Sequence, residues 1–374
     1  MLERARDFKQ NIEKKAAGIF KERERFDNFA VVFPGQGGLK PGIGKELYEA
    51  HQIVRDYAAV AEELLGVSIT KLSWNSTKEE LVDTRINQLL TFFWSHANYA
   101  VWEKQWRSEH WGKRPTPKYF AGDSLGQINA LVVAGAIGFE EALKFVVVRG
   151  MAMHDACEQS PSSLLSLTVV DGDEEGSRQL DSIRHDLNFE DRGLYKKSDS
   201  SESQIVVGCS NFHLYDIYEK YLKNFDKVRV IRLPVEGAFH TPLMDPAVPA
   251  VEEILEEITV QKTRTPVIDN TSNTKLRSPK KIKKALIDHV TKPVEWAGTM
   301  KLFEVEGLDV IEINDKPLLT KMVKKQGIIE EIRDKALEVL EDNKGKTAIA
   351  VGGLTVVGAI AFVLVRNKNK DKEK

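Results

Sequence analysis

A serine between two glycines, at the junction of a predicted strand and a predicted helix, constrains the fold most strongly. Gly122-Asp123-Ser124-Leu125-Gly126 has the pattern G-x-S-x-G, follows a strand pattern at 118–121 and precedes a helical pattern at 127–134. The glycines permit a sharp turn that lifts the serine hydroxyl above the sheet edge, and the Leu125 amide then faces a developing negative charge. The sequence therefore predicts an α/β body with Ser124 at a strand end.

A second strand with a glycine-rich turn lies near the start of the chain. The apolar run at 29–33 ends in Pro34-Gly35-Gln36-Gly37-Gly38. Helical patterns follow at 48–65 and 92–106, and later strand patterns lie at 267–268 and 310–313. Strands that alternate with helices are typical of a largely parallel sheet.

The pattern changes in the middle of the chain. Strand patterns and helical patterns alternate over 164–233, and the polar run at 196–203 is predicted to be a loop. This order predicts a small ferredoxin-like α+β subdomain at 161–233, inserted in the body. The large subdomain is then expected at 29–160 and 234–342.

The two ends of the chain have different patterns. Residues 1–28 place apolar side chains at helical spacing among charges of both signs, which predicts an amphipathic helix packed on the next domain rather than a targeting segment. Residues 347–365 form a run of 19 residues without a charge, with basic residues on both sides. This length can cross a thin bilayer, so we expect a transmembrane helix, a basic tail at 366–374 and a membrane-anchored body that faces the cytoplasm. A buried core helix or a β-rich hairpin is the alternative.

Charge and cysteine content exclude several functions. The 54 Lys and Arg residues nearly balance 56 Asp and Glu residues, which leaves a net charge of −2 and no general attraction to nucleic acid. The two cysteines, Cys157 and Cys209, cannot form a disulfide framework or a CxxC metal site, and they favour a reducing compartment. We therefore expect no nucleic-acid partner and no metal.

A serine nucleophile needs a base, and one of the eight histidines is a clear candidate. His240 lies in a non-repetitive turn at 237–244, whereas the other seven lie in helix-like or surface contexts. Arg149, near the end of a helix predicted at 140–149, can bind a substrate carboxylate through a bidentate contact. The alternative is a helix-end arginine that the macrodipole favours.

At these places the chain resembles the malonyl-CoA:acyl carrier protein transacylases, the stand-alone acyltransferases of fatty-acid and polyketide synthesis. The resemblance covers roughly residues 29–325 and rests on four motifs in the family's order. Residues 33–37 resemble the opening loop, 122–126 the nucleophile elbow, Arg149-Gly150 the carboxylate-binding segment, and 237–244 the histidine turn.

The resemblance implies a role for each site residue. Ser124 is implied as the nucleophile and His240 as the base, and a backbone carbonyl, that of His289, orients the base. The backbone amides of Gln36 and Leu125 are implied as the oxyanion hole. The side chains implied to bind the substrate are those of Arg149, Phe239 and Gln88. A hydrolase-like large subdomain with an inserted ferredoxin-like subdomain is also implied.

The chain departs from the family pattern at several positions. His289 stands where the family usually has Gln, Asp123 where it has His, and Gln127 where Glu is common. Gly38-Leu39 replaces the usual Ser-Gln, and residues 314–316 replace a glycine-rich turn. These departures bear on rate and substrate choice rather than on the reaction class.

The expected function is ping-pong transfer of a malonyl group from malonyl-CoA to the phosphopantetheine thiol of an acyl carrier protein, through a malonyl-serine and without a cofactor. The expected partners are malonyl-CoA, a carrier protein and a membrane. Two alternatives remain. An acyl hydrolase of the same fold would not need Arg149, and a non-catalytic, membrane-tethered docking module for a carrier protein would explain the altered Asp123.

Overall fold

The structure is a computed structural model that describes residues 28–170, 172–186 and 193–314. The strands are β1 (Phe29–Phe33), β2 (Tyr119–Gly122), β3 (Ser162–Thr168), β4 (Leu194–Ser201), β5 (Gln204–Ser210), β6 (Arg229–Arg232), β7 (Val267–Ile268), β8 (Lys275–Leu276) and β9 (Asp309–Glu312). The helices are α1 (Lys45–Ala50), α2 (Gln52–Leu65), α3 (Ile69–Asn75), α4 (Thr84–Glu109), α5 (Gly126–Val133), α6 (Phe139–Gln159), α7 (Glu174–Asp186), α8 (Leu214–Lys220), α9 (Val248–Glu257), α10 (Pro279–Thr291) and α11 (Trp296–Val305).

The larger sheet has the strand order β8-β7-β2-β1-β9. Strand β1 pairs in parallel with β2 and with β9, β2 pairs in parallel with β7, and β8 is an antiparallel edge strand. Because β1 and β2 are parallel neighbours, the turns that follow them meet at the same edge. The glycine-rich loop at 34–38 and the elbow at 122–126 are thereby brought side by side.

Both faces of this sheet are covered, which explains the unbroken apolar run of β1. Phe29, Val31 and Phe33 pack into the core formed with α4, α5 and α6, whereas Ala30 and Val32 pack on the opposite face with Trp296 of α11. A strand buried on both faces has no polar alternation. The sequence pattern and the two-sided packing therefore agree.

The smaller sheet is antiparallel and has the order β4-β5-β3-β6. With α7 after β3 and α8 after β5, this is the ferredoxin-like arrangement β-α-β-β-α-β. The loop prediction for 196–203 is wrong, because most of that run belongs to the edge strand β4. Its unbroken run of polar residues, with register shifts against β5, has no hydrophobic pattern by which a strand could be predicted.

One part of the predicted fold class is corrected. The predicted class includes a C-terminal transmembrane helix, but no helix within the described residues is both long and apolar enough to cross a membrane. The segment 347–365 lies outside the described residues, as do residues 1–27 and the tail at 366–374. The predicted association with a membrane therefore gains no support. The predicted location, with the body facing the cytoplasm, stays a prediction. The predicted boundaries of the two subdomains also stay predictions.

Candidate active site

Ser124 lies on a strained, tightly packed turn between β2 and α5. Its φ is 49°, a left-handed value that is uncommon outside glycine. A Cβ on Gly122 would lie 2.0 Å from the Gly126 carbonyl carbon, and one on Gly126 would lie 2.2 Å from the Phe33 carbonyl oxygen. The two glycines of the motif are therefore required by close backbone contacts. Strain of this kind costs about 1–3 kcal/mol and is concentrated at functional sites.

Asn270 connects the turn at 122–126 to the neighbouring strand through hydrogen bonds. This residue was not identified from the sequence. It follows β7, is buried, accepts a hydrogen bond from the Ser124 amide at 2.7 Å and donates one to the Gly122 carbonyl. The backbone N–H of Asn270 donates to Gln127 Oε1 at 2.6 Å. A usable signal existed, since β7 is parallel to β2 and a polar residue after it lies at the same sheet edge as Ser124.

The structure brings Ser124 and His240 together. His240 Nε2 lies 2.6 Å from Ser124 Oγ, and Nδ1 lies 2.7 Å from the His289 backbone oxygen. A carbonyl only accepts hydrogen bonds, so Nδ1 carries the proton and Nε2 is left to accept the serine proton. This is the arrangement of a nucleophile with its general base.

Burial keeps His240 neutral. The pKa of His240 lies well below 6.5, first because of burial and then because of the charges of His289, Lys197 and Arg149. The pKa of His289 is lowered for similar reasons, with burial as the largest. Both ring nitrogens of His289 lack a hydrogen-bond partner in the described part of the chain, and its ring centroid lies 4.7 Å from that of His240. A neutral His240 is ready to act as a base near pH 7.

The small sheet holds the histidine turn in place. The Ala238 amide donates to Ser162 Oγ at 2.9 Å, and Thr241 Oγ1 donates to the Ala238 carbonyl at 2.6 Å. His240 itself has a φ of 62°. A Cβ on Gly208 of β5 would lie 2.8 Å from the Ala238 side chain, so the sheet is in close contact with this turn. The inserted subdomain thus positions the base.

Arg149 lies in the middle of α6, which continues to Gln159, so the helix-end interpretation is wrong. Its side chain is 1% exposed, and Nη1 donates to Gln88 Oε1 on α4. Within the described residues, its Nε and Nη2 have no hydrogen-bond partner. Burial lowers the pKa of Arg149 to about 10, so it stays charged at neutral pH. A buried cation with free donors is suited to a carboxylate ligand.

The remaining predicted residues also lie around this centre. Phe239 is buried in the main core beside His240, and Gln36 Nε2 donates to Asn87 Oδ1 at 3.1 Å. A Cβ on Gly35 would lie 3.3 Å from Ser124 Cβ, so the loop at 34–38 contacts the elbow. The backbone N–H groups of Gln36 and Leu125 make no hydrogen bond within the described chain. Both are therefore free to donate to an oxyanion.

One group near the site has the composition of a metal centre. Ligand atoms of Asp83, His154 and Glu236 lie within 4.8 Å of one another. The Glu236 oxygens, however, bind His154 Nδ1 at 2.5 Å and the Thr84 amide at 2.8 Å, and Asp83 pairs with Arg85. The group therefore ties the segment before the histidine turn to α4 and α6.

The fold and the geometry of the site together indicate the class of enzyme. A strained serine at a strand end, a neutral histidine held by a carbonyl and two free amides form the machinery of acyl transfer through an acyl-serine. The family described as acyl transferase domain matches residues 30–340. The chain belongs to this acyl transferase family, within which it groups with the malonyl CoA-acyl carrier protein transacylases.

The curated relatives and solved structures agree. The malonyl CoA-acyl carrier protein transacylase of Bacillus subtilis is 30% identical over 299 residues, which cover 79% of this chain and 89% of the relative. The structure of the Coxiella burnetii transacylase is 26% identical, with a TM-score of 0.70, over 80% of this chain and 91% of that one. A malonyl-transacylase solved in complex with its type II polyketide synthase acyl-carrier protein is 27% identical, with a TM-score of 0.68, over 80% and 92% of the two chains.

Proposed function

We propose that this enzyme moves a malonyl group from malonyl-CoA to the phosphopantetheine thiol of an acyl carrier protein. The observation that carries the proposal is the meeting of three groups in one buried site. The Ser124–His240 pair supplies the nucleophile and base, and Arg149 supplies an unpaired cation. The family and its relatives support the same reaction.

In the first half-reaction, His240 Nε2 takes the Ser124 proton while Oγ attacks the thioester carbon. The free amides of Gln36 and Leu125 stabilise the oxyanion. The carbon–sulfur bond then breaks, and the proton passes from His240 to the CoA sulfur. The product is malonyl-Ser124 and free CoA.

The second half-reaction reverses these steps with a different thiol. The carrier protein's phosphopantetheine thiol gives its proton to His240 and attacks the malonyl-serine ester, which restores the Ser124 hydroxyl. Arg149 holds the malonyl carboxylate throughout, and Gln88 and Phe239 shape its surroundings. Because no step changes an oxidation state, the chain's own residues suffice for the chemistry.

The test is to follow the fate of the malonyl group. The enzyme is mixed with malonyl-CoA and a phosphopantetheinylated carrier protein, and the intact mass of the carrier protein and the release of free malonate are measured together. The proposal expects malonyl-carrier protein to form with little malonate. Malonate as the main product would support an acyl hydrolase, and no turnover to either product would support a docking module. Carrier protein without phosphopantetheine is the control and should stay unmodified.

A further inference from the structure

A cavity of about 690 Å³ lies at the opposite end of the strands from Ser124. It is bounded by Thr116 and Phe120 near the start of β2, by residues 135–139 between α5 and α6, and by residues 259–265 before β7. These segments lie at the amino ends of the parallel strands, whereas Ser124 follows the carboxyl end of β2. None of the residues proposed for acyl transfer lines it. The volume is in the range of small-molecule sites.

The cavity has a largely apolar wall that includes a buried histidine. The apolar and aromatic lining residues include Tyr57, Tyr99, Phe120, Val132, Ile137 and Phe139. His96 also lines it, is only 5% exposed, and has an Nδ1 without a partner in the part of the chain that the structure describes. Its ring stacks on Phe139 with centroids 4.6 Å apart. Burial lowers the pKa of His96 to about 4, so the ring is neutral at pH 7 and can bond a hydroxyl.

The rim of the cavity has two charges of each sign, and one of its guanidinium groups has no side-chain partner within the described part of the chain. Its charged lining residues are Glu103, Arg114, Glu141 and Arg264. Glu103 lies 3.4 Å from the Arg114 guanidinium, and Glu141 Oε1 accepts a hydrogen bond from the Thr259 amide at 2.8 Å. Arg264 is exposed and has neither an ion pair nor a side-chain hydrogen bond among the described residues. A guanidinium without a partner has free donors in one plane, which fit a carboxylate.

We propose that this cavity binds an amphipathic monocarboxylate that carries a hydroxyl at the far end of an apolar body. The carboxylate pairs with Arg264 at the rim, the apolar body packs on the aromatic wall, and the hydroxyl bonds the buried His96 ring. The ligand thus supplies a partner to Arg264 and to His96, two lining residues with side-chain polar atoms that have none among the described residues. The site is separate from the acyl-transfer centre and does not rest on the function proposed above.

The probe is 10-hydroxydecanoate, titrated into the full chain by isothermal calorimetry at pH 7.5. Two analogues each lack one polar end: decanoate lacks the hydroxyl, and 1,10-decanediol lacks the charge. We expect decanoate to bind about threefold to tenfold more weakly than the probe and the diol at least tenfold more weakly, the usual effects of losing a neutral and a charged hydrogen bond.

Two variants assign these effects to their residues. Arg264→Gln should remove the advantage of the probe over the diol, and His96→Phe should remove its advantage over decanoate. Arg264 is exposed, so its variant should fold. Arg229→Gln, an exposed arginine of the small sheet, is the matched control and should bind normally. Arg149→Met should also bind normally, because it alters only the acyl-transfer site.

Several results would overturn the proposal. These are no binding of the probe, equal affinity for the probe and the diol, affinity unchanged in both Arg264→Gln and His96→Phe, or loss of binding in Arg149→Met. The last result would place the ligand in the acyl-transfer site.

Discussion

We expect Arg149 to lower the free energy of unfolding of the substrate-free enzyme. We also expect it to give the enzyme its preference for malonyl groups. Burial lowers the pKa of Arg149 from its ordinary value to about 10. A tenfold change in a protonation equilibrium corresponds to about 1.4 kcal/mol, so the charged side chain destabilises the folded state by about 3 kcal/mol. Because the folded-state pKa is depressed, this cost is fully present below pH 10 and disappears only as the pH rises towards the ordinary pKa of arginine.

Replacing Arg149 with methionine should therefore not weaken the fold. Arg149→Met removes the charge, but it leaves Gln88 Oε1 without its donor, which costs about 1–3 kcal/mol. The net expectation is a free energy of unfolding that is unchanged or raised by up to about 2 kcal/mol. Urea denaturation at pH 7.5, followed by circular dichroism, measures it. Arg229→Met, at an exposed position, is the matched control.

The same variant should lose its preference for malonyl groups. Arg149 has two free donor atoms, Nε and Nη2, and each hydrogen bond between charged groups is worth about 1.5–3 kcal/mol. The loss of both predicts a fall of at least about 100-fold in the ratio of kcat/KM for malonyl-CoA to that for acetyl-CoA. A variant that loses 3 kcal/mol of stability and keeps the malonyl preference would refute the reasoning, since Arg149 would then be a structural residue.

Three further predictions concern the groups around the nucleophile, and a fourth concerns the buried His96. Asn270→Ala should lower kcat at least tenfold and lower the melting temperature, because it frees the buried Ser124 amide; wild-type turnover by this variant would contradict the positioning role. His289→Gln should keep turnover within about tenfold of wild type, because the backbone carbonyl that holds His240 remains; a loss of several powers of ten would show that the ring itself is needed. The pKa of His240 lies well below 6.5, so kcat/KM should be flat from pH 8 down to 6.5, and an acid limb centred above 6.5 would contradict this. The free energy of unfolding should fall as the pH drops below 6.5. The reason is that the pKa of His96 is about 4 in the folded state, so that the unfolded chain binds a proton on this histidine at a higher pH than the folded chain does. In urea denaturation, the dependence of the free energy of unfolding on pH should be smaller in His96→Gln.

Much of the fold followed from local patterns in the sequence. The unbroken apolar run of β1 and the glycine-flanked Ser124 required a buried parallel sheet with a tight turn, and both are present. The edge strand β4 did not follow, because its polar residues at 196–201 lack the alternation by which strands are recognised. The transmembrane helix was inferred from the length of the uncharged run at 347–365 and from its basic flanks, and the described residues contain no such span.

The site was predictable where a motif marked it and not where distant segments meet. Ser124 and His240 stand in recognisable turns, so their pairing could be expected. Asn270 could not be found by a motif, because its role depends on β7 lying beside β2. The end of the helix that carries Arg149 was also misplaced. Residues 150–159 continue the helical pattern, and the buried position of the guanidinium is set by packing against α4.

The central claim is that Ser124 carries the malonyl group. Intact-protein mass spectrometry after brief mixing with malonyl-CoA, in the absence of carrier protein, tests it most directly. The account predicts that the wild-type chain gains the mass of one malonyl group, that the adduct maps to Ser124 after proteolysis, and that Ser124→Ala, which should fold normally, gains nothing. An adduct of full yield on Ser124→Ala, or one that maps to another residue of the wild-type chain, would contradict it.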